Sequence, residues 1–226
     1  MTCVNNGKVK LYRRLILLIL IFTLLAGQAS AAVTDVSVNS FSTQKANIYV
    51  RAFVPGSKTP WRSIGHFDLM IEGVVTFRGK TFKNPVFSYR MEDSCLAVFN
   101  EADTGRYYKH SSQSDYYYDC DLYQARFATG DYDDVQAFLK KLNSIISSST
   151  KYSGGVKCKF KSSSEFSKYR ASSTNCFYAV AKWLQGFGSD SLMNYYYGAH
   201  SGKYDIYTPK NVLKAYSGKF KLKYAA

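Results

Sequence analysis

The apolar residues of this chain change their period once, near Asp131, and that change limits the folds open to it. Ahead of it lie short runs rich in β-branched and aromatic residues: "NIYVRAFV" (47–54), "SIGHFDLMI" (63–71), "NPVFSYRM" (84–91), "SCLAVFN" (94–100) and "DLYQARFA" (121–128). Turn pairs such as Pro55-Gly56 and Glu72-Gly73 bound them, so each reads as a strand. From Asp131 the apolar positions are Val135, Phe138, Leu139, Leu142, Ile145 and Ile146, spaced by threes and fours as one helix stripe. Asp131, Asp133 and Asp134 crowd its start, where the helix dipole favours negative charge, and Ser147–Ser149 mark its end. A second helix is expected from Asn175 to Gly186, with Thr174 as cap and Phe177, Val180, Ala181 and Leu184 inward. A third opens at "TPKNVLKAY" (208–216), where Thr208 caps and Pro209 takes the first turn. Strands gathered first and helices later give an α+β class, an antiparallel sheet packed against helices.

The first 31 residues are expected to stand outside that fold. Lys8, Lys10, Arg13 and Arg14 precede the apolar "LILLILIFTLLAG" (15–27) and the small-residue "ASA" (29–31), the three parts of a secretory signal peptide. The apolar run is short for a membrane span. Residues 32–46 read as a loose lead-in, and 47–226 as one domain. Cleavage after Ala31 removes four basic residues and takes the formal net charge from +14 to +10. An exported cation of this kind is drawn to anionic cell-surface polymers, and nucleic acid is not an expected partner. "KCKFK" (157–161) and "KFKLK" (219–223) alternate and read as strands with one basic face. The tract 101–121 is polar and tyrosine-rich, so a loop or peripheral hairpin is expected there. Runs such as "DYYYD" and "NYYYG" suit a groove for peptide or sugar as well as an ordinary amphipathic rim.

Four cysteines follow the leader: Cys95, Cys120, Cys158 and Cys176. An even number in an exported chain admits two disulfides. Cys176 has a second reading. It stands in the expected first turn of the second helix, where unpaired backbone N–H groups lower a thiol's pKa and favour the nucleophilic thiolate. Such a thiol needs a base. His110 and His200 lie in polar or glycine-flanked tracts, whereas His66 sits early in a strand, beside Gly65. Alternation puts Phe67, Leu69 and Ile71 on one face and His66, Asp68 and Met70 on the other. The histidines are scattered and no C-x-x-C or H-E-x-x-H occurs, so no metal or cofactor is expected.

The order of these motifs, "GHFDLMIEG", then "LYQARFA" with its helix and Tyr152, then "STNCFYAVAKWLQGFG" and "YTPKNVL", resembles the circularly permuted branch of the NlpC/P60 papain-like superfamily. This branch includes the YiiX-like and lecithin:retinol acyltransferase-like enzymes. It places histidine before cysteine, here by 110 residues. The resemblance implies a permuted papain-like architecture with Cys176 as nucleophile and His66 as base. It also implies a third polar residue on the next strand, for which Ser88 and Asn84 are the candidates. The Cys176 backbone N–H would serve as an oxyanion donor.

The function expected is a secreted or cell-wall-associated, monomeric cysteine hydrolase. It would cleave an amide, with cell-wall peptide such as peptidoglycan as leading substrate, and hydrolysis and acyl transfer both remain open. The alternative is a secreted cell-surface binding or structural protein on the same scaffold, with Cys176 in a disulfide.

Overall fold

The computed structural model describes residues 35–55, 65–104, 120–152, 154–198 and 208–225. The expected leader, His110, His200 and the tyrosine run at 116–118 lie outside the described residues. In chain order the elements are β1 (Val36–Ser40), β2 (Ala46–Pro55), β3 (His66–Ile71), β4 (Val74–Phe77), β5 (Lys80–Lys83), β6 (Pro85–Arg90), β7 (Cys95–Asn100) and β8 (Cys120–Gly130). Then come α1 (Tyr132–Ser144), β9 (Ile146–Tyr152), β10 (Gly155–Phe160), α2 (Cys176–Gln185), α3 (Ser191–Gly198), α4 (Pro209–Ala215) and β11 (Lys221–Tyr224). Eight strands form one antiparallel sheet in the order β11-β8-β2-β3-β6-β7-β10-β9, and β1-β4-β5 form a second. The class is α+β, as the change of period implies.

Strands β3 and β6 lie inside the large sheet, and every residue of both is buried. Phe67, Leu69, Ile71, Phe87 and Tyr89 join the core shared with the helices. Met70 and Val86 turn the other way and pack with Phe53, Ala97, Phe99 and Leu122 in a separate cluster. Helix α1 begins with a reciprocal cap: the Asp131 side chain accepts from the Asp134 N–H, and the Asp134 side chain accepts from the Asp131 N–H. Its buried stripe is Val135, Phe138, Leu139 and Leu142, and Phe138 meets Phe87 edge to face at 5.4 Å.

Four local readings need correction. The stripe of α1 ends at Ser144, and Ile146 opens β9 instead. Ile146 is buried in either case, so burial alone gave the pattern no reason to stop. The expected loose lead-in contains β1, which pairs with β4 and buries Val36 and Val38. Gln136 of α1 holds it there: the Val38 N–H donates to Oε1 at 3.0 Å, and Nε2 donates to the Val36 carbonyl at 3.2 Å. Strands β4 and β5, and helix α3 through the tyrosine run "NYYYG", had no clear period of their own. Finally Asn175, not Thr174, caps α2: its Oδ1 accepts from the Tyr178 N–H at 2.9 Å.

The turn between β4 and β5 is Arg78-Gly79, both with positive φ. It rests on the outer strand β9. Arg78 Nε donates to Ser149 Oγ at 3.2 Å, Lys151 Nζ to the Gly79 carbonyl at 3.0 Å, and Lys80 Nζ to the Tyr152 carbonyl at 2.9 Å. The turn is therefore tied to the outer strand of the large sheet, whose residues other than Ile146 stay wholly or partly exposed.

Candidate active site

His66 opens β3 and is 4% exposed. The residue before it, Gly65, has φ +78°. A Cβ there would enter the Phe53 carbonyl and lie 2.7 Å from Pro209 Cγ, so only glycine lets the first turn of α4 close on the start of this strand. Strand β6 runs antiparallel to β3 with Leu69 opposite Phe87, which brings Ser88 alongside the imidazole. His66 Nε2 and Ser88 Oγ are 2.8 Å apart and buried. This contact is the one expected of an orienting residue.

Asn84, the other candidate for that role, is elsewhere. It precedes β6 with φ +47°, accepts from the Gly73 N–H through Oδ1 at 3.0 Å, and donates through Nδ2 to Glu101 Oε2 at 3.1 Å. Four residues of extended chain separate it from Ser88, about 13 Å at strand rise. It pins a turn and does not orient the base.

Asp68, on the same face as His66, is held by Arg51. Arg51 Nε donates to Oδ1 at 2.7 Å and its terminal NH2 to Oδ2 at 3.0 Å, with both side chains almost wholly buried. Arg51 also donates to Thr104 Oγ1 at 3.0 Å and lies over the Phe53 ring. Burial holds the His66 imidazole well below its ordinary pKa, and the nearby Arg90 and Arg51 guanidiniums push it the same way. His66 is therefore neutral at physiological pH.

Cys176 is the first residue of α2, as the motif order implies, and is 7% exposed. Around its thiol stand the backbone N–H of Phe67, the residue after His66, the Tyr169 hydroxyl and the amides of its own first turn. These donors favour thiolate, as a helix N-terminus should, but burial outweighs them and pushes the thiol pKa up. The expectation of a lowered pKa in the resting protein is thus reversed. The Phe67 side chain packs on Phe177 of α2, with ring centroids 5.1 Å apart, while the His66 side chain points to the Ser88 face. Imidazole and thiol consequently lie on the two faces of β3, and the imidazole is not among the groups that shift the thiol.

Tyr169 carries no signal in the sequence that marks it out. In the fold its backbone N–H donates to Ser94 Oγ at 2.8 Å and its ring rests on Tyr89 at 5.1 Å. Its hydroxyl accepts from the Cys176 N–H at 3.4 Å. The group sharing the Cys176 amide could be found only once the loop ahead of α2 had been folded back onto β6. Cys158 and Cys176 are free thiols, and all four of Cys95, Cys120, Cys158 and Cys176 are buried. Among the described residues no group of three His, Cys, Asp or Glu is placed to hold a metal ion.

No family model, no curated protein and no solved structure matches this chain. Its chemistry is therefore argued from the geometry of His66, Ser88, Tyr169 and Cys176 and from the order of the motifs that carry them.

The shifted groups set a pH window for stability. The depressed pKa of His66 means that the unfolded chain takes up a proton first. Its contribution is complete above the ordinary value of 6.5 and is lost as pH falls below it towards the folded pKa. The Cys176 and Cys158 thiols are raised, Cys158 to about 12, so their contributions are complete below the ordinary 9.0 and decline as pH rises past it. Thermal midpoints are expected to be highest between those limits and to fall on both sides. In His66→Phe the acid-side loss should shrink; an unchanged acid limb would show that other groups control it.

Proposed function

We propose that the chain is an exported cysteine hydrolase of the permuted NlpC/P60 kind, acting on an amide, with cell-wall peptide as leading substrate. The observation that carries this reading is Cys176 at the start of α2, packed through Phe177 against the strand on which His66 meets Ser88. A base with an engaged second nitrogen, a cysteine at a helix start and a donor amide beside it are the parts an acyl-transfer site requires.

With Nε2 engaged by Ser88, Nδ1 would take the thiol proton once the start of β3 and of α2 have turned the imidazole and the sulfur to a common side as substrate binds. Both groups rest neutral, so the proton moves as the substrate arrives and not before. Sulfur then attacks the carbonyl carbon, and the developing oxyanion takes the Cys176 N–H that the Tyr169 hydroxyl holds at rest. Collapse breaks the C–N bond, and the imidazolium returns its proton to the departing amine. Water cleaves the thioester by the same base, restoring thiol and imidazole. The cationic surface would favour approach to an anionic cell wall.

The test uses the exported chain and purified peptidoglycan, with release of amino groups as readout. Cys176→Ala is expected to abolish release, and His66→Ala to lower it by a factor of about 10² or more. Ser88→Ala is expected to shift the pH profile with a smaller loss. Native thiol counting without reductant should find Cys176 free. Wild-type release that survives Cys176→Ala would overturn the assignment, and a Cys176 that labels only after reduction would favour the binding-protein reading.

A further inference from the structure

The two outer strands of the large sheet are treated differently. Strand β9 is tied to the Arg78-Gly79 turn by side-chain hydrogen bonds, whereas β11 is the last strand at the opposite end and each of its four residues is exposed. Leu222 and Tyr224 are 53% and 66% exposed, among the most exposed large apolar side chains described. They alternate with Lys221 and Lys223. From Thr208 to Ala226 the chain carries Lys210, Lys214, Lys219, Lys221 and Lys223 and no acidic residue. Lys219 extends the basic surface, its Nζ lying 3.8 Å from the centroid of Phe127 on the neighbouring strand. Across the ladder, Leu122, Tyr123 and Gln124 of β8 contribute no charge.

We propose that β11 is a docking edge for an extended acidic peptide, which adds to the sheet as a further antiparallel or parallel strand. An outer strand offers backbone donors and acceptors on its far side, which an extended chain satisfies. The ladder to β8 is irregular between Leu222 and Tyr224: Lys221 lies opposite Gln124, Leu222 opposite Tyr123 and Tyr224 opposite Leu122, so Lys221 and Tyr224 share one face and Leu222 takes the other. A peptide rich in carboxylates complements Lys221 and Lys223, and that charge match commits the edge to an acidic occupant. A second copy is a poorer occupant, because β11 against β11 sets lysine against lysine. A bilayer is poorer as well, because lipid leaves strand-edge backbone groups unsatisfied. This inference stands independently of the proposed hydrolase.

The experiment uses the full chain and a fluorescein-labelled peptide of alternating glutamate and valine, followed by anisotropy, with hydrogen exchange on the complex. Binding is expected to weaken with salt and to protect the amides of 221–224. In Lys221→Glu/Lys223→Glu affinity should fall by about tenfold or more, while a lysine–valine peptide should gain by a comparable factor. Both positions are exposed, so an unchanged thermal midpoint separates lost binding from lost folding. Four outcomes would overturn the proposal: no binding of the acidic peptide; binding indifferent to charge reversal; binding without protection of 221–224; or no peptide binding alongside capture by anionic phosphatidylglycerol vesicles or concentration-dependent dimerisation of the chain.

Discussion

Replacing Asp68 with alanine is expected to destabilise the domain by about 3–5 kcal/mol, read from denaturant midpoints at constant slope. The carboxylate takes two hydrogen bonds from Arg51, and neither side chain has appreciable contact with solvent. Its removal leaves a guanidinium inside the protein with Thr104 as a hydroxyl partner and no carboxylate from position 68. The loss should exceed that of removing both charges, because an isostructural apolar pair does not leave one buried ion behind. Asp68→Leu combined with Arg51→Met is therefore expected to recover part of the stability lost in Asp68→Ala. A double variant no more stable than the single one would mean that the pair contributes more than its own desolvation consumes. Activity provides a second readout: Asp68 and His66 are two residues apart on one strand face, so relaxation around the pair should reach the base.

Gly65→Ala is the second large effect, expected to cost about 2–4 kcal/mol. Holding an L-residue at φ +78° costs about 1–2 kcal/mol, and the added Cβ collides with the Phe53 backbone and the Pro209 ring. The backbone contact leaves no flexible side chain to move aside. Because Pro209 begins α4, the variant should also loosen that helix from the strand that carries His66. Hydrogen exchange in 209–215 is expected to accelerate more than exchange in α1. Uniform acceleration across both helices would show a global loss with no local hinge at Gly65.

The sequence shows most where one physical signal dominates. Phe67, Leu69 and Ile71 face the helix core because strand alternation leaves them no other choice, and His66 consequently turns to the opposite side. Thr208-Pro209 announces α4 by cap and first-turn chemistry that needs no tertiary partner. The pairing of His66 with Ser88 was legible as far as one of two candidates. Choosing between Ser88 and Asn84 required the register of β3 on β6, which no local property of "NPVFSYR" fixes. Asn84 proved to be turn chemistry, its amide closing on Gly73 and Glu101. The thiol's pKa was misjudged because a helix N-terminus can be recognised from sequence while the depth at which it is buried cannot. Strand β1 was missed for a similar reason: "VSVNS" is too short to be compelling until β4 and Gln136 supply its partners.

The unequal edges of the large sheet have a consequence for self-association. A sheet open at both ends can stack head to tail without limit, since each added copy offers the next a fresh template. Here the β4–β5 turn is tied to β9 by side-chain hydrogen bonds, so a second copy pairing there must displace them, whereas β11 offers its edge directly. Pairing of β11 with β11 would be two-fold, and both of those strands are consumed in the first event. Arg78 thus links the two sheets at this edge through Ser149, and its removal would take away one of the ties that a second copy has to displace.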